Sequence, residues 1–166
     1  MSAASAIGAS EHREDEPHEP HEPHERPATP DDVPAIAAIE RASFGDPWSE
    51  ASFRAMFANE GVVALVVEQH GRLVGYCIAW LIGDEAELAN LAVASDARRQ
   101  GIGAQLLDAL LRELGARGGA TIFLEVRDGN AAARALYASR GFSVSGRRKG
   151  YYRAPIEDAV LMRRGP

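Results

Sequence analysis

At 166 residues with 46% hydrophobic composition, the chain is long enough for one domain with a real core and too short for two ordinary ones. Its net charge of −6 is uneven: residues 1–30 hold seven acids against Arg13 and Arg26, giving −5, so the rest carries −1 and offers no electrostatic case for nucleic-acid binding. No apolar run approaches the roughly 18 residues of a membrane span, and one cysteine, Cys77, excludes an internal disulfide and suits a reducing, cytoplasmic compartment.

The first 26 residues pass from small residues to acids to Pro-His-Glu triplets, a composition that cannot bury enough apolar surface to offset its ordering entropy. A disordered tail over 1–26 and one domain over 27–166 are therefore predicted. The tail lacks the basic start and apolar centre of a signal peptide. His12, His18, His21 and His24 can chelate a metal, but no cysteine or second histidine cluster completes a site, so none is predicted. Order is predicted to begin near Thr29-Pro30-Asp31-Asp32, a helix start with a cap, a proline and first-turn acids. Val33, Ile36, Ala37 and Ile39-Glu40 continue that helix. A second helix starts at Ser49, where Trp48 and Phe53 match a hydrophobic staple. Between the two, Phe44 to Ser49 either line an acceptor pocket or anchor a loop.

Strands are predicted over Val62 to Glu68, Leu73 to Ile82 and Glu85 to Val93. Cys77, inside the second, reads as a buried thiol rather than a nucleophile. Then comes Arg98-Arg99-Gln100-Gly101-Ile102-Gly103. Behind it Leu106, Leu107, Leu110, Leu111 and Leu114 recur at helical spacing, so the glycines sit where a strand turns into an amphipathic helix. The first amides of a helix lack internal partners and carry the positive end of its dipole, which suits a pyrophosphate; a plain turn needing positive φ is the alternative. Neither the Rossmann nor the P-loop spacing is present. R-x-x-G-x-G after Leu91-Ala92-Val93 instead resembles the pyrophosphate-binding motif of the GNAT N-acetyltransferases.

A strand over Ala120 to Val126 follows, then a helix from about Asn130 to Arg140 and short strands at Phe142 to Ser145 and Ala159 to Met162. Glu125 stands out as a carboxylate in Ile122-Phe123-Leu124-Glu125-Val126. By alternation it shares a face with Phe123, where it is either solvated from a cleft or salt-bridged to an arginine. Tyr137 alone reads as a packing aromatic. The segment Arg147 to Arg153 is predicted to be a loop that gates an acceptor, with RNA contact as its alternative.

Taken together, Leu124 to Arg127, Asn130 to Tyr137, Gly141-Phe142, Asp46 to Glu50, Asp84 to Ala86, Asn90 to Val93, Arg147-Arg148, Tyr151-Tyr152 and Glu157 to Ala159 resemble the ribosomal-protein-alanine N-acetyltransferase family within GNAT. The likeness covers roughly residues 29–163 and departs at the N-terminus, where the family's first strand meets Pro23-His24-Glu25-Arg26-Pro27 and is expected to be short or missing. The resemblance implies a single mixed α and β domain. Its central, mostly antiparallel sheet is splayed at the acetyl-CoA site and flanked by helices. It implies Glu125 as base and Tyr137 as acid, with Glu85 and Glu87 as rival bases. Acetyl-CoA would lie on Leu91, Ala92, Val93, Arg98, Arg99, Gln100, Gly101, Ile102, Gly103, Ala104 and Asn130, with no metal. The implied acceptor is the N-terminal peptide of a small-subunit ribosomal protein beginning in alanine. A small amine or lysine acceptor, or a binding module without turnover, are the alternatives, and oligomeric state is left open.

Overall fold

The computed structural model describes residues 22–166. Seven strands form one sheet: β1 His24–Pro27, β2 Val62–Gln69, β3 Arg72–Ile82, β4 Glu85–Val93, β5 Thr121–Arg127, β6 Ser143–Arg153 and β7 Ile156–Arg164. Their spatial order is β1-β2-β3-β4-β5-β7-β6. Helices α1 (Val33–Ser43) and α2 (Glu50–Met56) pack on one face, where Val33, Ile36 and Phe53 meet Val66, Tyr76 and Ile78. Helices α3 (Ile102–Ala116) and α4 (Ala131–Ser139) pack on the other, where Leu106, Leu110 and Tyr137 meet Cys77, Leu88 and Leu124. The fold is thus the mixed single domain that the sequence predicts.

Local chemistry sets the elements. The Ser49 hydroxyl accepts from the Ser52 N–H, and the Trp48 and Phe53 rings lie 5.5 Å apart, so the cap and staple of α2 are both formed. At the entry to α1 the Asp32 carboxylate accepts from the Thr29 N–H at 2.8 Å. Along α3, Ile102, Leu106, Leu107, Leu110 and Leu114 make one buried face.

The sheet is antiparallel at every step except β4 with β5, a parallel pair whose crossover is α3. That pair is short, and Leu88 opposite Leu124 is its last rung. There β4 carries an extra residue, because Ile78 faces Asn90 while Ala79 faces Leu88, leaving Ala89 as a bulge. Beyond it β4 follows β3, whereas β5 from Glu125 to Arg127 follows β7. The strands splay, and the sheet opens into a V with Ala89 and Glu125 at its vertex.

Two expectations need correction. The predicted tail reached residue 26, yet His24–Pro27 pairs with Leu65–Glu68 as an edge strand. Its residues are poor strand formers, and what recruits them is tertiary. The Arg26 guanidinium binds Asp32 and Glu68 at 2.7–2.8 Å, and Gln105 of α3 donates to the Pro23 carbonyl and to Glu25. Pro27 is tolerated because it ends an edge strand. The tail from residue 1 to 21, with His12, His18 and His21, lies outside the described residues. The second correction concerns Arg147 to Arg153, predicted as a loop. It is the second half of β6, which pairs with β7 through two register shifts and turns at Ala154-Pro155. A solvent-facing edge needs no apolar alternation, so its charged sequence concealed the strand.

Candidate active site

The V has a donor-like side made of backbone. Ala94 donates its N–H to the Val74 carbonyl of β3, so by alternation Ala92 also faces β3, while the N–H groups of Leu91 and Val93 point into the gap. Of the predicted run Leu91-Ala92-Val93, two amides are presented and the third is taken up in the sheet. The Val93 carbonyl, also on the gap side, accepts from Arg98 Nε at 3.1 Å. The chain then rises into α3 through Arg99 (φ 63°) and Gly101 (φ 77°), the latter at the N-cap where a side chain would be strained. Gln100 reaches back to Gln69 at 3.1 Å and fixes the loop against the β2–β3 turn. Ile102 is buried, and Gly103 and Ala104 follow in the first turn of α3.

Gly75 brings that turn close, since a Cβ there would stand 3.0 Å from Leu106 and 3.2 Å from Ile102. At Gly103 the opposite holds. A Cβ would meet Leu136, Leu91 and Val93 only at 3.7–3.9 Å, ordinary contact, so the protein's own packing does not demand glycine there. Asn130, predicted to touch coenzyme A, accepts from the Ala133 N–H at 3.1 Å and caps α4; its carbonyl oxygen is therefore engaged, leaving the amide nitrogen for a ligand.

The other side of the V is a groove of about 520 Å³ on the α1/α2 face, lined among others by Trp80, Glu87, Phe123, Glu125, Arg148 and Met162. Both sequence readings of Glu125 hold at once. Its side chain is 21% exposed at the groove wall and its Oε1 lies 3.5 Å from Arg148 Nε. The neighbouring Glu125 carboxylate, and burial after it, hold the Tyr151 phenol above its ordinary range. Glu85 and Glu87, the rival bases, line the same groove, and Glu87 sits opposite Phe123 in the parallel register. Phe44 and Trp48, whose role the sequence leaves open, divide: Phe44 is exposed, and Trp48 packs on Phe53 while lining a second, apolar hollow of about 420 Å³ with Met56 and Trp80.

Tyr137 comes from the opposite face. It is 7% exposed, its ring meets Phe142 edge to face at 5.7 Å, and burial pushes its phenol well above the usual range. A phenol so placed keeps its proton at neutral pH. The Tyr152 phenol is pushed up to about 12, by burial first and by Glu125 after it. Arg127 covers the Tyr152 ring at 4.3 Å. Cys77 is fully buried and its thiol is pushed up to about 12 by desolvation, the inert state that the sequence predicts.

Sequence reasoning missed Glu40. It is 1% exposed, the one buried polar side chain among the described residues. Its carboxylate accepts from Tyr76, Asn90 and the Trp48 backbone. The available signal was an acid inside the buried stripe of α1, directly after Ile36, Ala37 and Ile39.

A gap between β4 and β5, free amides on β4 and a glycine-led helix N-terminus together match one family. Residues 33–142 fit the family model described as the acetyltransferase (GNAT) family. The chain belongs to the GNAT acetyltransferase family. Within it, the chain groups with the ribosomal-protein-alanine N-acetyltransferases. The ribosomal protein bS18-alanine N-acetyltransferase of Escherichia coli K12 is 43% identical over 133 residues, covering 79% of this chain and 89% of the relative. That of Haemophilus ducreyi is 37% identical, with 79% and 92% covered. Among solved structures, the E. coli ribosomal-protein-S18-alanine N-acetyltransferase superposes with a TM-score of 0.80 at 39% identity, covering 86% of this chain and 93% of that one. Ard1 from Thermoplasma volcanium follows at 0.78 and 26%, with 86% and 96% covered. The GNAT chain is therefore an N-acetyltransferase, and enzymes of this family take their acetyl group from acetyl-CoA. Among the described residues, no helix is long and apolar enough to cross a membrane.

Proposed function

We propose that this chain acetylates the N-terminal α-amine of a protein in the cytoplasm, and that its acceptor is the alanine terminus of small-subunit ribosomal protein bS18. The observation that carries the reading is the place of Glu125. It is the first residue of β5 beyond the last β4–β5 rung, so its carboxylate stands where the acceptor groove meets the donor gap. The names of the relatives support the acceptor.

The gap fits acetyl-CoA on its own geometry: two unpaired amides on Leu91 and Val93, a loop from Arg98 to Ala104 leading into a 15-residue helix, and room at Gly103 where only a hydrogen is found. Arg99, Gln100, Gly101, Ile102, Gly103 and Ala104 would hold the pyrophosphate at the helix N-terminus, where the dipole and free N–H groups favour an anion. The amide nitrogen of Asn130 would add a contact. Acetyl-CoA supplies a thioester, an acetyl group activated for attack by an amine.

The chain's own groups perform the proton work. A terminal ammonium has a pKa near 8 and cannot attack until deprotonated, which a carboxylate can do at neutral pH directly or through one water. Glu125 takes that proton. The N–H of Leu91 or Val93 is aimed to bind the carbonyl oxygen as negative charge gathers on it. As the new C–N bond forms and the C–S bond breaks, the attacking nitrogen sheds its second proton to solvent and Tyr137 gives its phenolic proton to the departing sulfur, to be reprotonated from solvent. Tyr151 and Arg148 orient Glu125 and flank the incoming terminus.

Three acceptors test this: a bS18 N-terminal peptide beginning in alanine, the same peptide with a blocked terminus and a free lysine, and a polyamine. The expected product, located by mass spectrometry, is the α-acetylated peptide. Preference for lysine or polyamine would overturn the acceptor, and acetyl-CoA binding without turnover of any amine would overturn the catalytic reading.

A further inference from the structure

Glu40 takes no part in the proton transfers above, yet it is the most deeply buried acid described, and no cation pairs with it among the described residues. An unpaired buried carboxylate is costly, so its contacts have to compensate. They are donors from three directions. Oε1 accepts from the Trp48 N–H and Asn90 Nδ2, both at 3.1 Å; Oε2 accepts from Asn90 Nδ2 at 3.0 Å and from the Tyr76 hydroxyl.

The partners have different stations. Trp48 belongs to the α1–α2 connection, and its ring walls the apolar hollow that shares Trp80 with the groove of Glu125. Asn90 follows the Ala89 bulge on β4, on the same side of the sheet as α1, and directly precedes Leu91, whose N–H enters the gap. Tyr76 is a fully buried residue of β3 that touches neither opening. One carboxylate therefore ties the wall of the acceptor side to the strand that carries the donor-side amides.

We propose that Glu40 is a positioning residue for acetyl transfer: it holds the Trp48 wall and the bulged strand at Asn90 in one fixed relation, so that the amine and the thioester meet at the vertex of the V. The inference rests on reading the groove as the acceptor channel and the gap as the acetyl-CoA site. A bulge disrupts the ladder locally, so the side-chain clamp on the next residue, Asn90, adds to the β3 pairing in setting where Leu91 and Val93 point. A misplacement of about 1 Å in such a geometry can cost on the order of 10²-fold in rate.

The test uses the full chain, acetyl-CoA and a peptide beginning in alanine. Glu40→Gln keeps the shape but removes the charge and puts an NH2 donor where Oε2 accepts from Asn90 and Tyr76, so the hold on Asn90 is weakened and the clamp loosened. Its kcat/KM for the peptide is expected to fall roughly 10- to 100-fold, with acceptor KM raised and kcat lowered together. Asn90→Ala frees only the strand and is expected to lower kcat while leaving acceptor KM within about twofold. Tyr76→Phe removes the donor that reaches neither wall; it is expected to lower the melting temperature with kcat/KM within about twofold of the parent. Glu125→Gln serves as reference. Should Glu40→Gln and Asn90→Ala both keep parental kcat/KM while Glu125→Gln loses activity, the positioning role fails and the site reading stands. If Glu125→Gln keeps activity, the site reading fails first. A loss in Tyr76→Phe equal to that in Glu40→Gln would reduce the network to core stability and overturn the proposal. If Glu40→Gln fails to fold, Asn90→Ala against Tyr76→Phe decides the same question.

Discussion

The two sides of the V are built in opposite ways. The donor side is almost all main chain: the Leu91 and Val93 amides, the turn at Gly101 and the first turn of α3 come from one stretch of 14 residues, 91 to 104. The acceptor side is mostly side chain, drawn from the α1–α2 connection, α2, β3, β4, β5, β6 and β7, with Glu40 of α1 behind Trp48. A backbone site needs only the right turn in the right place and tolerates many neighbours. A side-chain site depends on distant elements arriving together, so its specificity is set by packing. The proposed chemistry happens where the two kinds of site meet, with Glu125 on one side and Tyr137 on the other.

The largest expected effect falls on that meeting point. Tyr137→Phe keeps the edge-to-face contact with Phe142 and removes only the hydroxyl, so stability should hardly change while kcat falls about 10²- to 10⁴-fold, the range of a lost general acid. Acetyl-CoA affinity, measured by calorimetry, should stay put. Near-normal kcat on a good acceptor would return Tyr137 to a packing role. The direction of its pKa adds a sign. A raised phenol stays protonated past its ordinary value of about 10, so Tyr137 should cause no alkaline loss of rate below that pH. An alkaline limb near pH 9 that disappears in Tyr137→Phe would contradict the burial.

Glu125→Gln comes next, with kcat expected to fall on the order of 10²-fold or more and with little change in acetyl-CoA binding. Glu87→Gln, in the same groove, separates the rivals: if it matches the loss and Glu125→Gln does not, the base is Glu87.

A smaller effect probes the backbone side. Gly103→Ala adds a methyl that the protein can accommodate, and alanine favours a helix over glycine by about 1 kcal/mol. The unliganded protein should melt at the same temperature or higher, while acetyl-CoA binds about tenfold more weakly. Weaker folding with unchanged binding would mean the glycine serves the turn alone.

The smallest effects lie far from the V, at the β1 edge. Removing residues 1–21 should leave urea-unfolding stability within about 0.5 kcal/mol, whereas removing 1–27 should cost about 1–3 kcal/mol by deleting the Arg26 and Glu25 contacts. Arg26 holds the Asp32 carboxyl below its usual range. A lowered folded-state pKa gives stability that is present above the unfolded value of about 3.9 and is lost as pH falls through the folded one. The full chain should therefore lose more stability below about pH 4 than the chain lacking 1–27. Equal losses would place the acid-sensitive contact elsewhere.

What could be read from the sequence is what is local. Helix periods, the Ser49 cap with its Trp48 staple, the glycine turn after Val93, the burial of Cys77 and the placement of Glu125 on the face of Phe123 all depend on neighbours within a few residues. Spacing therefore carried them. Tertiary structure alone decided the rest. Whether His24–Pro27 became a strand depended on an open edge of β2 and on Asp32, Glu68 and Gln105 waiting for it; propensity argued the other way. The charged segment Arg147 to Arg153 became a strand because β7 offered a free edge with water on its far side. Glu40 became a buried clamp rather than a surface acid because Tyr76, Asn90 and Trp48, up to 50 residues away, converge on its two oxygens. Periodicity reports which face of an element is apolar, but it cannot report which polar groups from distant elements will meet there.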